Sequence, residues 1–323
     1  MKGADSISWS AIIVTYNSAR DIVSCLESLR SQRGVSAGQI VVVDNASSDL
    51  TTELVASQFP DVALIRNSFN AGFGVGCNIG LAHTNSEYCF IINPDTVAEP
   101  DCVRELVSYM ESQPETACIG PAVVNDEGRL DVSSFAFTNL WLSLWGAVGG
   151  IRLLPFNRVN NKWVILRRPP PQTTEVDRLL GAAMMIKCIA WKKVGGFDER
   201  FFLYSEEEDL CFRLREAGGR IVYYPDVRVI HHGGGSSGVH NPRTVAAATW
   251  SRYLYLKKHR SFWEAGLSRW VWILGLVARY IGAGLLTLFG AHDHRAGYRE
   301  ALRSLLSPGY FDSHLRPRKA AAG

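Results

Sequence analysis

The strongest constraint on the fold is a series of short apolar runs, rich in β-branched residues, that alternate with helical patterns. The runs occupy residues 11–14, 40–43, 62–65 and 88–92. Between them, apolar residues recur at helical spacing, first from Ser18 onward and then over roughly residues 49–58. Strands that are apolar throughout are buried on both faces, which is typical of a parallel sheet covered by helices. The sequence therefore predicts an α/β fold with a mostly parallel sheet and helices on both faces.

Composition narrows the class of protein. The chain has 323 residues, of which 47% are hydrophobic and 20% charged, so it can bury a full core and is neither disordered nor collagen-like. A net charge of +3 gives no electrostatic footprint for nucleic acid, and we expect no such partner. The 7 cysteines lack a CxxC pair, which favours reduced core thiols in the cytosol over disulfides or a metal cluster. Residues 1–10 show no signal-peptide pattern, so we expect a cytoplasmic protein.

Polar side chains follow the predicted strands where each strand ends. Asn17 follows the first run, Asp44 the second and Asp95 the fourth. Ligands of open parallel sheets bind at the carboxyl ends of the strands. One carboxylate there can accept a hydrogen bond from a nucleobase, and another can hold Mg²⁺ or Mn²⁺ together with phosphate oxygens. The pair predicts a nucleoside diphosphate site, with helix capping as the structural alternative for either residue alone.

The glycine-rich segment of residues 67–80 does not match either of the common phosphate-loop patterns. It contains no GxGxxG in register, and GxxxxGK[ST] occurs nowhere in the chain. Dinucleotide-binding and P-loop proteins are therefore poor candidates. Close packing of a helix on a strand and contact between the backbone and a ligand both remain open explanations for these glycines.

A second acidic cluster, residues 206–209, stands at the start of a helical pattern. Four consecutive acids exceed what the helix dipole requires. Aromatic residues nearby can desolvate a carboxylate and raise its pKa towards that of a general base. A further strand is predicted at residues 221–224. His231 follows a strand that ends near residues 229–230, and three glycines follow at residues 233–235, which makes it a candidate ligand for a metal or a phosphate.

Seven segments of the chain, taken in their order along the sequence, resemble the motifs of the family 2 inverting glycosyltransferases of the GT-A fold. Within that family they resemble those of the bacterial rhamnosyltransferases. The matching segments are residues 14–17, 43–49, 70–80, 93–95, 195–202, 206–213 and His231. The resemblance implies a Rossmann-like GT-A domain over residues 1–240, with a nucleotide-binding half at 1–125 and an acceptor and catalytic half at 126–240. Residues 131–172 are predicted as a loop-rich insertion, residues 179–187 as a strand and residues 241–323 as a C-terminal helical region.

The resemblance also implies site residues. The nucleotide contacts are Thr15, Tyr16, Asn17, Asp44, Asn45, Asn70, Gly72 and Asn78. The diphosphate and donor sugar contacts are Asn93, Asp95, Gly181 and Ala182. Asp95 and His231 would hold Mn²⁺ or Mg²⁺, with one carboxylate fewer than relatives that carry Asp-x-Asp. The family's catalytic Asp falls on Glu207, which is one methylene longer, and Glu206, Asp209 and Arg213 contact the acceptor or support the base.

The activity implied is inverting transfer of a sugar, with a carboxylate base activating the acceptor hydroxyl. The expected donor is the nucleotide sugar dTDP-L-rhamnose, and the expected acceptor is a lipid-linked or cell-surface polysaccharide. Another UDP- or dTDP-sugar and a non-catalytic sugar-nucleotide-binding protein are the alternatives. A nucleotidyltransferase is less consistent, because residues 11–21 lack its glycine-rich basic loop.

The apolar stretch of residues 270–289 raises the question of a membrane. Arg279 at its centre disfavours a spanning helix, and a core-packing helix pair is the structural alternative. The preceding residues 257–260, Arg269 and three tryptophans, Trp263, Trp270 and Trp272, suit the surface of anionic lipid. We therefore expect peripheral association with the inner face of the cell membrane.

Overall fold

The computed structural model describes residues 8–36, 38–147, 156–159, 162–165, 169–233, 241–287, 295–307 and 309–315. The first part of the described chain alternates strands and helices. Its elements are β1 (Trp9–Thr15), α1 (Ile22–Arg30), β2 (Gln39–Asp44), α2 (Thr51–Gln58), β3 (Ala63–Arg66), α3 (Phe73–Ala82), β4 (Tyr88–Ile92), β5 (Thr96–Ala98), α4 (Cys102–Ser112) and β6 (Thr116–Val124).

The remaining elements complete the sheet and add a helical region. They are β7 (Leu130–Asp131), β8 (Ser134–Phe135), α5 (Leu140–Ala147), β9 (Phe156–Val159), β10 (Lys162–Ile165), β11 (Thr174–Glu175), β12 (Arg178–Leu179), β13 (Ala183–Lys187), α6 (Cys188–Lys193), α7 (Glu206–Glu216), β14 (Arg220–His231), α8 (Pro242–His259), α9 (Phe262–Thr287), α10 (Arg295–Leu306) and a π-helical turn (Phe311–Leu315). The predicted loop-rich insertion thus includes α5 and the β9–β10 hairpin.

The central sheet of the described chain has the strand order β11-β14-β6-β13-β4-β1-β2-β3. Strands β3, β2, β1 and β4 are parallel, and β6 and β14 are parallel to each other. Strand β13 lies between the two groups and runs antiparallel to both β4 and β6. The predicted α/β architecture is confirmed, and the antiparallel β13 makes the sheet mixed.

Two apolar clusters show that helices cover both faces. Along β1, Ala11 and Ile13 belong to the cluster with residues of α1 and α4, whereas Ile12 and Val14 belong to the cluster with residues of α3, α6 and α7. Alternate residues of a strand point to opposite faces, so both faces of β1 are buried. All seven cysteines are buried, as expected for core thiols.

Two local predictions differ from the structure. The predicted strand of residues 179–187 is divided into β12 and β13 by the turn of residues 180–182, which belongs to the wall of the cavity described below. The spacing of Ser18 and Asp21 also predicts a capping box for α1, but neither side chain caps the helix. The Ser18 carbonyl instead accepts hydrogen bonds from the backbone N–H groups of Asp21 and Ile22, which start the helix as a turn.

Close packing of α3 on β1 gives a test of the fold. A Cβ at Gly80 would lie 2.5 Å from Cγ2 of the buried Ile12, so we expect Gly80→Ala to lower the free energy of unfolding by about 1–3 kcal/mol. Gly266 in α9 has no atom within 4 Å of such a Cβ, and the control Gly266→Ala should stabilise the chain by up to about 1 kcal/mol. Urea unfolding would measure both, and equal midpoints would contradict this packing.

Candidate active site

A cavity of about 650 Å³ lies at the carboxyl ends of β1 and β4, at the edge predicted for ligand binding. Its walls come from the loops after these two strands, the start of α3, the turn before β13, the start of α7 and the start of α8. This volume is in the usual range for small-molecule and cofactor sites. Segments far apart in the sequence therefore meet at one place.

Most of the predicted site residues line this cavity. They are Thr15, Tyr16, Asn17, Asn45, Asn70, Gly72, Asn93, Asp95, Gly181, Ala182, Glu206, Glu207 and His231. Four others, Asp44, Asn78, Asp209 and Arg213, do not line it. For these four, the contacts made within the protein explain why.

Asp44 lies behind the cavity wall rather than on it. Its side chain accepts hydrogen bonds from Thr15 Oγ1 at 2.8 Å and from the backbone N–H and hydroxyl of Ser47 at 2.9 and 2.5 Å. Asp44 is 2% exposed. These hydrogen bonds fix the carboxylate and position Thr15, and the direct contact expected between Asp44 and the nucleoside stays a prediction.

The loops after β1 and β2 are joined to each other by further hydrogen bonds. The backbone N–H of Asn17 donates to Ser47 Oγ, and Asn17 Oδ1 accepts from the N–H of Ser48, both at 2.8 Å. Asn17 has a φ of 54°, a left-handed conformation that Asn tolerates better than most residues. The two loops thus form one rigid wall, beside which Tyr16 remains 39% exposed.

Asn78 bridges α3 to the loop before α7. Its amide nitrogen donates to the Phe197 carbonyl at 2.9 Å, and its oxygen accepts from the Phe197 N–H at 2.8 Å. Both ends of the amide are thereby used within the protein, and the nucleotide contact expected of Asn78 stays a prediction. Gly72, by contrast, lines the cavity at a φ of 95°, and a Cβ there would lie 2.4 Å from the Phe202 carbonyl oxygen.

Asp95 and His231 lie next to each other on the cavity wall, as predicted for a pair of metal ligands. Asp95 Oδ1 is 3.3 Å from His231 Nε2, and it is buried without an aligned hydrogen bond from the described residues. Contact with Asp95 raises the pKa of His231. Among the described residues no group of three or more candidate ligands occurs. The pair fits a divalent cation whose other ligands are diphosphate oxygens and water.

The acidic cluster starts α7 after a strained turn. Tyr204 and Ser205 both have left-handed backbone conformations, with φ of 67° and 62°. Such conformations are unfavourable for residues other than glycine and are often found at functional sites. After this turn, Glu206 and Glu207 line the cavity although both are largely buried.

Glu206 and Glu207 differ in their partners. Glu207 Oε1 accepts a hydrogen bond from Arg178 Nη1 at 3.0 Å, whereas Glu206 Oε2 has no partner among the described residues. Burial raises the pKa of both carboxyls, and the negative charge of Glu207 raises that of Glu206 further. The positive charge of Arg178 acts in the opposite direction on the pKa of Glu207.

The other two acids of the cluster are used inside the protein. Glu208 accepts hydrogen bonds from the backbone N–H and the hydroxyl of Thr138. Asp209 contacts Arg213, Lys258 and His259 at 2.7, 2.6 and 2.7 Å, and it is 0% exposed. Of the two predicted roles for Asp209 and Arg213, support of the helix fits these contacts and direct contact with the acceptor does not.

The basic residues predicted to face anionic lipid are mostly turned inward. Lys258 and His259 contact Asp209, and Arg260 donates to the Thr138 carbonyl at 3.1 Å. In α9, Arg269 donates to the Leu305 carbonyl and Arg279 to the Gly146 carbonyl. These charges have partners within the protein, whereas Lys257 is exposed, and the expected association with a membrane stays a prediction.

The outer face of α9 is apolar instead. Trp263, Leu267, Trp270, Leu274, Val277 and Ile281, here called the apolar stripe, recur at alternating spacings of four and three, and each is exposed. Trp263 is 81% and Leu274 68% exposed, whereas Trp272, a predicted anchor, is half-buried beneath Arg252. Trp141 of α5, which packs against α9, is also exposed. Over the part of the chain that the structure describes, no helix is long and apolar enough to cross a bilayer.

Sequence reasoning missed several residues of this site. Arg178 is the first residue of the short strand β12, in a segment with no recognisable motif, and its proximity to Glu207 depends on the course of β12 and β13. Arg243 lines the cavity from the start of α8. The Asn241-Pro242 pair was a readable helix-start signal, because Asn caps helices and Pro is favoured at the first position.

Family models match most of the described sheet and part of the helical region. The model of Glycosyl transferase family 2 matches residues 10–161, and that of Glycosyl transferase family group 2 matches residues 88–293. The second match covers more than half of the chain. It includes the whole of β4, the loop after it with Asp95, helix α7 and His231.

Two relatives have specific names. The N-acetylglucosaminyl-diphospho-decaprenol L-rhamnosyltransferase of Mycobacterium tuberculosis is 29% identical over 276 residues, which are 80% of this chain and 87% of that protein. The rhamnosyltransferase WbbL of Escherichia coli is 28% identical over 233 residues, which are 68% of this chain and 82% of that protein.

Solved structures share the fold. The mannosyltransferase PcManGT of Pyrobaculum calidifontis, solved with GDP-Man and Mn²⁺, has a TM-score of 0.57 and 16% identity over 96% of this chain and 90% of its own. At this identity the likeness concerns the fold, which is the GT-A arrangement of a mixed sheet between helices.

Proposed function

The chain belongs to glycosyltransferase family 2, and from this premise we propose that it transfers L-rhamnose from dTDP-L-rhamnose to a lipid-linked or cell-surface glycan. It is an enzyme of the glycosyltransferase class, and the names of its M. tuberculosis and E. coli relatives support rhamnose as the sugar. The observation that carries the proposal is the shared cavity, in which Asp95 and His231 line the same space as Glu207.

In the proposed reaction, Glu207 takes the proton from an acceptor hydroxyl. The oxygen then forms a bond to the anomeric carbon from the face opposite the nucleotide, and the bond from that carbon to the diphosphate breaks with its electron pair on the diphosphate. A single displacement inverts the configuration. Thr15, Tyr16 and Asn17 of the cavity wall are the proposed contacts of the nucleoside, and Gly181 and Ala182 of the same wall are the proposed contacts of the donor sugar.

Asp95 and His231 are the proposed ligands of a divalent cation. Such an ion would stabilise the negative charge of the leaving diphosphate. PcManGT was solved with Mn²⁺ and GDP-Man, and this supports a cation in a fold of this kind. With one carboxylate and one imidazole from the protein, Mn²⁺ suits the pair better than Mg²⁺, which prefers oxygen ligands.

The apolar stripe of α9 is proposed to rest on the cytoplasmic face of the cell membrane. The relative from M. tuberculosis is named for an acceptor linked to decaprenol, a lipid that this location would supply. Glu264, Arg269 and Arg279 of α9 bond to other parts of the protein. An apolar outer face with tryptophans is what an interfacial helix requires.

We also propose the division of the chain at residue 240 into a transferase domain and a helical region. The two segments are not functionally separate, because Asn241, Arg243 and Thr244 of the second segment also line the cavity.

The proposed base can be tested by turnover. With dTDP-L-rhamnose and a polyprenyl-linked acceptor, Glu207→Gln should lower kcat by roughly 10²-fold or more, which is the usual contribution of general-base catalysis, and leave donor affinity nearly unchanged. The product should have the inverted anomeric configuration by NMR. A panel of UDP- and dTDP-sugars would identify another donor, and donor binding without transfer to any acceptor would favour the non-catalytic alternative.

The proposed cation site can be tested by donor binding. Asp95→Ala should abolish the increase in donor affinity that Mn²⁺ produces, and His231→Ala should reduce it, because each variant removes one protein ligand. Isothermal titration with and without Mn²⁺ measures the effect, and Asp61→Ala, an exposed carboxylate paired with Arg30 outside the cavity lining, is the control. Full activity of the unaltered enzyme in EDTA would contradict the proposal.

The proposed membrane contact can be tested by vesicle flotation. The double variant Trp263→Glu and Trp270→Glu should bind phosphatidylcholine–phosphatidylglycerol vesicles at least about tenfold more weakly, since each change puts a charge into an apolar interface. Ile189→Glu alters another exposed apolar residue, 79% exposed on α6, and is the matched control. Since most basic residues face inward, high salt should release little protein. Undiminished binding of the double variant, or a stable dimer through the stripe, would contradict the proposal.

A further inference from the structure

Two carboxyls of α7 reach the same cavity, and only one of them has a cation beside it. We propose that Arg178 is a positioning residue that holds the Glu207 carboxylate ionised and oriented, and so makes Glu207 rather than Glu206 the group that accepts the proton. The inference deepens the proposed function and rests on it, because it presumes that the cavity transfers a sugar.

Arg178 is itself held in place from several sides. Its guanidinium lies over the ring of Phe135 on the neighbouring strand β8, with 4.5 Å between the guanidinium carbon and the ring centroid. Nη1 donates to Glu207 Oε1 at 3.0 Å, and Nε lies 3.9 Å from Glu208 Oε2. Glu208 is anchored in turn by Thr138. Stacking and two carboxylates therefore leave the guanidinium little freedom, which suits a group that orients another.

The surrounding charges separate the two acids. Arg178 of β12 lowers the pKa of Glu207, and the neighbouring Glu208 raises it. The charge of Arg178 also lowers the pKa of Glu206, but its described ion-pair contacts are with Glu207 and Glu208. Arg252 of α8 acts on Glu208 and Arg178. Among the described residues no cation contacts Glu206, and its buried Oε2 has no hydrogen-bond partner there. Two carboxylates side by side cannot both ionise easily, and the one without a cation keeps its proton.

The raised pKa of Glu206 agrees with this division, since its causes are burial and the charge of Glu207. A protonated Glu206 can donate a hydrogen bond but cannot take up a proton. Glu207 takes the proton of the acceptor hydroxyl as the new glycosidic bond forms, and it returns that proton to solvent after the products leave. Pairs of acids whose environments separate their pKa values commonly divide their roles in this way.

A purely structural role for Arg178 would predict only a loss of stability. A positioning role predicts in addition a change in the pH at which the base becomes active. Without the guanidinium, the pKa of Glu207 should rise, so the enzyme should lose activity at a higher pH on the acidic side. The acidic limb of kcat/KM against pH is the readout that distinguishes the two roles.

The experiment compares Arg178→Met, Arg178→Lys and a control, Arg215→Met, in the full-length chain. Arg215 pairs with Asp177 and lies over Phe137, so its replacement removes a similar ion pair outside the cavity lining. We expect the acidic limb to move up by about one pH unit or more in Arg178→Met, by less in Arg178→Lys and not at all in Arg215→Met. If Arg178→Met does not fold, the profile of Arg178→Lys decides the question.

A second comparison uses isosteric amides. Glu206→Gln should keep kcat within about tenfold of the unaltered enzyme, because Gln resembles a protonated carboxyl, whereas Glu207→Gln should lose roughly 10²-fold or more. An unshifted acidic limb in folded Arg178 variants, or equal losses in the two Gln variants, would overturn the inference while leaving sugar transfer intact. If the unaltered chain transfers no sugar from any donor, it is the proposed function that fails.

Discussion

The antiparallel pairing of β13 with β4 is the constraint on which the site depends. Ala183, the first residue of β13, is opposite Ile92, the last residue of β4, so the chain that enters β13 arrives at the carboxyl edge of the parallel strands. The Asn93 N–H donates to the Ala182 carbonyl at 2.9 Å and fixes this junction. If β13 were parallel to β4, the segment that leads into β13 would lie at the opposite edge of the sheet. The antiparallel course therefore places the segment that carries Arg178, Gly181 and Ala182 beside the loop that carries Asp95, and the two sequence halves share one cavity.

The sequence predicted the fold and the location of the site because both depend on local patterns. Buried strands, their polar ends and the acidic cluster are all readable within about ten residues. What the pattern could not reveal is which polar groups satisfy one another. Asp44 and Asn78 carry suitable ligand atoms, but Ser47, Thr15 and the Phe197 backbone already occupy them. The roles of the predicted residues that do line the cavity remain predictions.

The same limit explains the prediction about the basic residues. A run of Lys, His and Arg has the composition of a lipid-facing patch, yet Lys258 and His259 are bound to Asp209, about fifty positions earlier in the chain. The distribution of charges along the sequence shows which residues are basic. Only the tertiary structure shows which acidic residues they pair with. Arg178 is the converse case, since nothing in its surroundings marks it and its importance arises entirely from the partners that β8 and α7 bring to it.

The contacts of Asp209 have a consequence for how the two sequence segments relate. This carboxylate in the first turn of α7 is fully buried, and two of its three described cationic contacts, Lys258 and His259, belong to α8. A buried charge that loses its counter-ions is strongly destabilising. Of the described cations that contact Asp209, a chain ending near residue 240 would retain only Arg213. Lys258 and His259 of the helical region therefore supply counter-ions to the domain before it. The two segments therefore share one buried cluster of ion pairs, and its charges come from both of them.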